Sequence, residues 1–295
     1  MSKTTRRILL ALLAILVVLG LLALGWYRSL SYPLPEMAPS AEADALARAM
    51  MESVNHEAWL RTGAVEWVFA GQHVHKWDRE RGLALVAWEV REEGEPRLIE
   101  VFFDLDSRQG IVFQDRVEIT SASQSEQRSE WLRQAWEYWV NDSFWLNPVA
   151  KLFDEGTTRG LISPQQGEFD EDLRGLLVSY GSGGVTPGDS YLWLVDSNDR
   201  PVAWRMWTKI LPIQGVETSW EGWQELATGA VVATRHQTPI GALGLSEVRG
   251  TARLTELLEG RGPFLKDFER LAELVGKSEQ TPDGAESEAV AADSP

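Results

Sequence analysis

The sequence predicts an α+β fold that is mainly β: a single curved antiparallel sheet of about 10–11 strands, helices over its concave face, and an N-terminal transmembrane helix. Short segments rich in β-branched and aromatic residues recur at regular spacing over residues 63–119 and 176–254, which is typical of an antiparallel meander. A helical pattern at residues 125–142 separates the two runs. A sheet of this length curls, so we expect a half-barrel whose apolar face is buried by helices.

The chain begins with a basic segment and a long apolar run. Residues 8–27 are 20 amino acids without a charge, and at about 1.5 Å per residue they reach about 30 Å, the thickness of a hydrocarbon core. The basic residues in 1–7 predict a cytoplasmic N-terminus, a single-pass anchor in the inner membrane, and the bulk of the chain in the periplasm. The alternative is a signal peptide cleaved at the small-x-small sequence of residues 23–25. Both interpretations export residues 29–295.

An amphipathic helix over residues 41–60 begins the exported part. Leu46, Met50 and Val54 recur at helical spacing and form one stripe that needs a surface to pack on. The first half of the meander follows. Its predicted strands are GAVEWVFAG (63–71), QHVHKWD (72–78), LALVAWEV (83–90), RLIEVFFDL (97–105) and GIVFQDRVEI (110–119).

An aromatic helix and its connector interrupt the meander. Residues 125–142 place Trp131, Ala135 and Tyr138 in one row. The dipeptide at residues 147–148, Asn-Pro, ends regular structure, because a residue before proline avoids helical geometry.

The second half of the meander leads to a last helix and a tail. A hairpin turn is expected at residues 196–200, and a helix at 262–276. The predicted strands are LLVSYG (176–181), DSYLWLVD (189–196), PVAWRMWTKI (201–210), ETSWEGWQEL (217–226), AVVATRHQT (230–238) and LGLSEVRGTARL (243–254). The predicted organisation is a cytoplasmic basic segment (1–7), the transmembrane helix (8–27), a Pro-rich linker (28–43), one half-barrel domain (44–276) and a disordered acidic tail (277–295).

Composition restricts the classes of partner and chemistry. The formal net charge of −16 argues against nucleic acid, which needs a basic face. The chain has no cysteine, which excludes disulfides, zinc thiolate sites and thiol nucleophiles. Its 14 tryptophans are consistent with either the aromatic lining of a ligand cavity or a β-rich core built from residues that favour strands.

Four segments together resemble a known superfamily. They are NHEAWLRTGAVEWVFAG (55–71), GQHVHKWD (71–78), EYWVNDSFWLNPVAKLFDEG (137–156) and YLWLVDSNDRPVAWRMW (191–207). Their order resembles the LolA/LolB-like superfamily of periplasmic lipoprotein carriers, in an uncharacterised branch, over residues 41–262. The resemblance implies an incomplete antiparallel barrel that is closed by helices and holds acyl chains in an apolar cavity. Because the chain has no cysteine to lipidate and no clean cleavage site, a diffusing shuttle or a lipid-tethered receptor is not expected.

The aromatic helix and connector are the best candidates for a binding site. Trp139, Phe144 and Trp145 are expected at the open end of the half-barrel, as the lid of a cavity or as a rigid core plug. Asn141 and Asp142 are expected to tie this segment to nearby backbone. The candidate cavity or lid residues are Trp59, Trp67, Trp136, Trp139, Phe144, Trp145, Trp193 and Trp204. Lys151 and Arg205 are candidates for pairing a ligand head group, or only a neighbouring acid such as Asp154.

His73 and His75 are the remaining chemical candidates. An i, i+2 pair on a strand places both imidazoles on one face, with Asp78 nearby, and a metal would need a further ligand such as His56 or His236. The alternative is a polar patch on a strand, or histidine packed against tryptophan. We predict no metal site, no cofactor and no catalytic constellation.

The sequence therefore predicts a membrane-anchored extracytoplasmic protein that binds a lipid, a lipoprotein acyl chain or another apolar ligand without catalysis. The alternative is a scaffold or assembly factor of the cell envelope, with a solid core and a surface that binds protein. An enzyme that uses a metal at His73 and His75 is a third hypothesis. The sequence specifies neither the ligand nor the oligomeric state.

Overall fold

The structure is a computed structural model, and it describes residues 31–92, 94–182, 188–209 and 214–277, with isolated positions between 5 and 28. The predicted membrane helix at 8–27 lies partly outside this described part. Among the residues that the structure describes, no helix is both long and apolar enough to cross a membrane. The helices are α1 (Ala41–Ser53), α2 (His56–Arg61), α3 (Ser125–Leu146), α4 (Pro164–Gly167), α5 (Leu254–Leu257) and α6 (Gly262–Val275).

The fold is α+β, with two large antiparallel sheets that do not close into a barrel. The first has eight strands in the order β14-β15-β1-β2-β3-β4-β5-β6, and the second has five in the order β11-β10-β9-β8-β7. A short pair, β12 and β13, stands apart. The strands are β1 (Ala64–Phe69), β2 (His73–Asp78), β3 (Leu83–Glu92), β4 (Glu95–Asp104), β5 (Gly110–Gln114), β6 (Val117–Glu118), β7 (Thr157–Ile162), β8 (Arg174–Tyr180), β9 (Ser190–Val195), β10 (Pro201–Trp207), β11 (Val216–Ser219), β12 (Gln224–Glu225), β13 (Val231–Val232), β14 (Arg235–Thr238) and β15 (Gly241–Thr251).

The strands are divided between two large sheets, where the sequence predicted one. The two sheets meet at a seam between β11 and β14. There the backbone of Glu221 bridges that of Arg235, and the Gln237 amide donates to the Ser219 hydroxyl over 2.8 Å. The predicted strands at 217–226 and 230–238 are each broken into short pieces around this seam.

Helices cover both faces of the first sheet, where the sequence predicted cover on one. On one face, Val86 and Phe103 pack against Trp131 of α3. On the other face, Leu85 packs against Phe268 of α6. The sequence of β3 explains the difference, since residues 83–88 are apolar without alternation and all are buried, as in a strand covered on both sides.

The N-terminal helix is shorter than predicted, because Asn55 divides it. Asn55 adopts the left-handed conformation, and its side chain accepts a hydrogen bond from the amide of Ala58, so α1 ends and α2 begins there. The stripe on α1 packs on the second sheet, where Met50 belongs to the same buried cluster as Trp193.

Helix α3 extends four residues beyond its predicted end at residue 142, so that Phe144 and Trp145 lie on the helix, and the strand after the connector was missed. Helix α3 ends at Leu146, and the Asn147 side chain caps the 3₁₀ turn Pro148–Lys151. Strand β7 then adds an edge to the second sheet by pairing with β8. The predicted tail begins with an ordered residue, because Lys277 pairs with Asp104 at 2.6 Å; residues 278–295 lie outside the described part.

Candidate functional site

One row of side chains on α3 contacts two separate groups of residues: a polar group on the first sheet, and an aromatic group on the second sheet and the seam. Tyr138, Asp142 and Trp145 lie at i, i+4 and i+7, so they face the same side of the helix in successive turns. Tyr138 and Asp142 meet β2 of the first sheet, whereas Trp145 meets β10 and the seam.

The first region is a buried cluster of His73, His75 and Asp142, called here the histidine–aspartate cluster. His73 Nδ1 and His75 Nε2 each lie 2.7 Å from the same oxygen, Asp142 Oδ2. The side chains of His75 and Asp142 are 0% and 1% exposed, and that of His73 is 15% exposed. The three ligand-type atoms lie within 4.8 Å of one another.

Aromatic rings fix the orientation of both imidazoles. The Trp67 ring stacks on His75 at 4.5 Å between centroids, and the Tyr138 ring stacks on His73 at 3.9 Å. Asn141 donates to the second carboxylate oxygen of Asp142 over 2.8 Å. Rotation of the two rings and of the carboxylate is therefore restricted by packing and hydrogen bonds.

The hydrogen bonds determine the proton positions in the cluster. Burial alone would raise the pKa of Asp142, but the bonds from His73, His75 and Asn141 outweigh burial and lower it. An ionised carboxylate only accepts, so both imidazoles donate to it. Burial lowers the pKa of His75 against the opposing effect of Asp142. Nδ1 of a neutral His75 is then an acceptor, and no hydrogen-bond partner for it exists among the described residues.

The second region is an aromatic cluster on the second sheet and the seam. Successive rings lie in contact: the centroids of Trp204 and Trp220 are 4.8 Å apart, those of Trp193 and Trp220 are 5.2 Å apart, and those of Trp220 and His236 are 4.3 Å apart. The aromatic cluster consists of Phe144, Trp145, Tyr180, Tyr191, Trp193, Trp204, Trp220 and His236.

Polar atoms inside the aromatic cluster lack partners. Within the described part of the chain, no hydrogen-bond partner exists for the indole nitrogens of Trp193, Trp204 and Trp220, nor for the Tyr180 hydroxyl and His236 Nε2. Burial raises the pKa of Tyr180, and it lowers the pKa of His236 to about 4. The cluster is therefore uncharged at neutral pH and contains several unused hydrogen-bonding groups.

Four of the eight predicted aromatic residues lie outside the aromatic cluster. Trp67 stacks on His75, Trp59 and Trp139 contact Trp77, and the Arg108 guanidinium lies 3.7 Å from the Trp136 ring. The remaining four, Phe144, Trp145, Trp193 and Trp204, belong to the aromatic cluster. Trp139 is thus separated from Phe144 and Trp145, with which the sequence grouped it.

The two candidate head-group residues both have partners of their own. Lys151 Nζ lies 3.4 Å from Asp154. The Arg205 guanidinium is on the opposite face of β10 from Trp204, where it donates to the Glu217 carboxylate over 2.8 Å and to the backbone oxygens of Gly167 and Glu168.

Sequence reasoning missed the acid that joins the two histidines. The residues considered for that position lie elsewhere: Asp78 pairs with Arg81, and His236 lies in the aromatic cluster. Asp142 is 67 residues from His75, and no local pattern signals a contact at that separation. It was expected to bind nearby backbone instead. Tyr180, Tyr191, Trp220 and His236 were not singled out for the aromatic cluster either.

No protein-family model matches the sequence, and no curated protein matches it. Among solved structures, the chain is similar to the crystal structure of a DUF1329 family protein from Desulfovibrio piger ATCC 29098. The two share 10% identity at a TM-score of 0.35, over 75% of this chain and 96% of the other. A likeness this weak assigns the chain neither a family nor a function, and the resemblance to the lipoprotein-carrier superfamily stays a prediction.

Proposed function

We propose that the protein is a membrane-anchored, extracytoplasmic binding protein for a neutral amphiphile, such as a lipid or the acylated end of a lipoprotein, and that it performs no catalysis. The ligand would lie against the aromatic cluster under the end of α3. The main support for this proposal is the set of buried polar atoms in that cluster that have no hydrogen-bond partner among the described residues.

Unpaired polar groups are costly in an apolar interior. A buried donor or acceptor without a partner costs about 1–3 kcal/mol. The cluster presents the indole N–H groups of Trp193, Trp204 and Trp220. An acyl chain with an ester or amide group would stack its apolar part on the rings, and its carbonyl oxygens would accept from these N–H groups.

The absence of charge in the aromatic cluster restricts the class of ligand that it can bind. Burial keeps Tyr180 and Tyr191 neutral by raising the pKa of each. His236 is neutral at pH 7, because burial lowers its pKa to about 4. A charged group would therefore meet no counter-charge in this interior, and the buried part of the ligand is expected to be uncharged.

Phe144 and Trp145 are suited to act as a lid. They are the members of the cluster that α3 contributes, and both are partly buried. Their rings lie 5.8 and 5.1 Å from that of Trp204, on the second sheet. A displacement of the end of α3 would open the ring face of Trp204 to a ligand, with the second sheet as a wall of the site.

The proposed location depends on the apolar run at residues 8–27. Its described positions include Leu16, Leu21 and Leu22, each of which is more than 60% exposed. Exposed leucines at this density are suited to lipid. We place this run in the inner membrane and the two sheets in the periplasm.

The test compares two identical substitutions on the same helix. The full chain and its Trp145→Asp and Trp136→Asp variants are purified from membranes in detergent, and bound lipid is extracted and quantified by mass spectrometry. Trp136 is a matched control, because it is a partly exposed α3 residue outside the aromatic cluster. Lipid around the anchor is common to all three proteins, so the difference between the variants measures the site.

We expect the wild type and Trp136→Asp to retain a lipid that Trp145→Asp loses, with near-ultraviolet circular dichroism confirming that all three fold. A Phe144→Ala variant repeats the test with a milder change. An equal lipid content in all variants, together with no uptake of added acylated peptide, would refute the proposal.

A second candidate function is the cell-envelope scaffold, and one observation favours it. The rings of the aromatic cluster are already in contact, at 4.3–6.2 Å between centroids, so side chains of the protein itself occupy this space. A scaffold would keep the cluster closed. Crosslinking in membranes separates the two candidates: a protein partner captured equally by wild type and Trp145→Asp, without bound lipid, favours the scaffold.

A further inference from the structure

We propose that His73, His75 and Asp142 bind a divalent transition metal ion of the zinc class. This site is independent of the aromatic cluster and of the proposed lipid ligand. Two nitrogen donors and one oxygen donor converge from different elements, β2 and α3, at a point where their ligand-type atoms lie within 4.8 Å of one another.

The two nitrogen donors and one oxygen donor suit zinc and similar transition metal ions. Imidazole nitrogens suit Zn²⁺, Cu²⁺, Ni²⁺ and Fe²⁺, whereas Ca²⁺ and Mg²⁺ prefer oxygen alone. Two imidazoles and one carboxylate leave a fourth position for a solvent molecule, which is the pattern of open zinc sites. With neutral imidazoles, the donors carry a net charge of −1 that attracts a cation.

Among the described residues, neither lysine nor arginine lies beside the Asp142 carboxylate. Its hydrogen-bond partners in the described structure are His73, His75 and Asn141, and no lysine or arginine there lies within ion-pair distance of it. A carboxylate that is 1% exposed would ordinarily be expected to pair with a full positive charge. A metal ion between the carboxylate and the two imidazoles would supply that charge.

The three ligand atoms would rearrange to enclose an ion. Metal–nitrogen bonds of about 2.0–2.1 Å place tetrahedral ligands about 3.3 Å apart. The two nitrogens now lie 2.7 Å from Asp142 Oδ2 and within 4.8 Å of each other, so each would move away from the oxygen by ~0.6 Å while the two nitrogens approach to about 3.3 Å. Stacking by Trp67 and Tyr138 keeps both rings aimed at the shared point. Asn141 holds the other carboxylate oxygen, as an outer-shell partner would.

The path for an ion passes His73. Its side chain is the most exposed of the three, at 15%, while His75 and Asp142 are closed off. An ion can therefore reach His73 first. As it binds, the proton of each neutral imidazole moves from the nitrogen that faces Asp142 to the other ring nitrogen, so that His73 Nδ1 and His75 Nε2 offer lone pairs to the metal.

The test is zinc binding by the full chain, purified in detergent with an affinity tag free of histidine and stripped with a chelator. Calorimetry with ZnCl₂ measures stoichiometry and affinity for the wild type and for the Asp142→Asn, His73→Gln and His75→Gln variants. His56→Gln is the matched control, because it removes one imidazole on α2, outside the histidine–aspartate cluster. Cobalt substitution adds a visible spectrum that reports tetrahedral coordination.

We expect one zinc per chain, and an affinity at least about 100-fold weaker in each cluster variant, because loss of an outer-shell partner alone costs about 10–100-fold. His56→Gln should bind like the wild type. His73→Gln, at the most exposed ligand, covers the case in which the other two variants fail to fold. Absence of binding by the wild type, or unchanged affinity in folded His73→Gln, would overturn the proposal.

Discussion

Two buried histidines, His75 and His236, differ in their hydrogen-bond partners, and this difference sets the charge of their surroundings. Both are fully buried, and both contact a tryptophan, with centroids 4.5 Å from Trp67 and 4.3 Å from Trp220 respectively. His75 donates to the carboxylate of Asp142, whereas His236 Nδ1 lies 3.1 Å from the backbone oxygen of Ser219. The first region therefore contains a charge and the second does not.

Helix α3 supplies the side chain that distinguishes each region. Asp142 and Trp145 are one turn apart in the same row, and they place a carboxylate on the first sheet and an indole on the second. The charged region is suited to a cation and the uncharged region to an apolar molecule.

Truncation within the aromatic cluster should have the largest effect. Trp204 is 1% exposed and contacts Phe144, Trp145, Tyr191, Trp193 and Trp220. Trp204→Ala should lower the free energy of unfolding by about 3–5 kcal/mol, through lost burial and the cavity that remains. Denaturant unfolding followed by circular dichroism measures it.

Trp136→Ala is the control for this truncation. Trp136 is only partly buried, so its loss should cost about 1 kcal/mol, the contact with Arg108 included. Equal costs at Trp136 and Trp204 would mean that the aromatic cluster is no better packed than the surface of α3.

Acid should lower the free energy of unfolding through protonation of His236 in the aromatic cluster. Burial lowers the pKa of His236 from 6.5 to about 4, so the folded state binds this proton less readily than the unfolded state does. Its stabilising contribution is therefore complete above pH 6.5 and is lost as pH falls from 6.5 to 4, by about 3 kcal/mol at 1.36 kcal/mol per pKa unit.

Unfolding measured between pH 7 and 4 tests this sign. In His236→Gln the proton-linked part of the loss should be absent, and the difference from the wild type isolates His236 from the carboxylates that titrate in the same range. A variant whose stability falls with acid as steeply as that of the wild type would contradict the assignment.

Removal of the charge from the first region should have an intermediate effect. Asp142→Asn keeps the shape of the side chain but weakens two hydrogen bonds to a buried carboxylate, and we expect a loss of about 2 kcal/mol in unfolding free energy at pH 7. Asp154→Asn is the exposed control, paired with Lys151 at 3.4 Å, and should change stability by less than about 0.5 kcal/mol. Similar values for the two would show that the histidine–aspartate cluster adds no stability.

The sequence predicted local elements better than the contacts between them. Period-2 patterns placed β1 and β2, and Asn147-Pro148 ended α3, because these signals lie within a few residues of one another. Strand β7 was missed because its residues, TTRGLI, alternate weakly and include a glycine. The division into two sheets depends on the seam between β11 and β14, which pairs short pieces through isolated contacts.

The same limit applies to the two regions. The pairing of His73 and His75 on one face followed from strand geometry alone. The choice of Asp142 over Asp78 as their partner depends on how α3 crosses the first sheet, and this crossing is fixed by packing of Trp131 and Ala135 on β3, β4 and β5. Residue spacing contains no information on such a crossing.

Two tyrosines give the smallest predicted effect and the sharpest contrast, because the sign differs. The Tyr138 hydroxyl, in the first region, accepts from Gln134 over 2.7 Å, whereas the Tyr180 hydroxyl has no partner within the part of the chain that the structure describes. Tyr138→Phe should cost about 0.5–1.5 kcal/mol in unfolding free energy, and Tyr180→Phe should be neutral or stabilise the ligand-free protein by about 1 kcal/mol, since it removes a buried unpaired group. If the aromatic cluster binds an amphiphile, Tyr180→Phe should also retain less extracted lipid, so its stability and its binding would move in opposite directions. A loss of stability in Tyr180→Phe as large as that in Tyr138→Phe would mean that this hydroxyl is already satisfied, and it would remove one of the polar atoms on which the proposed ligand depends.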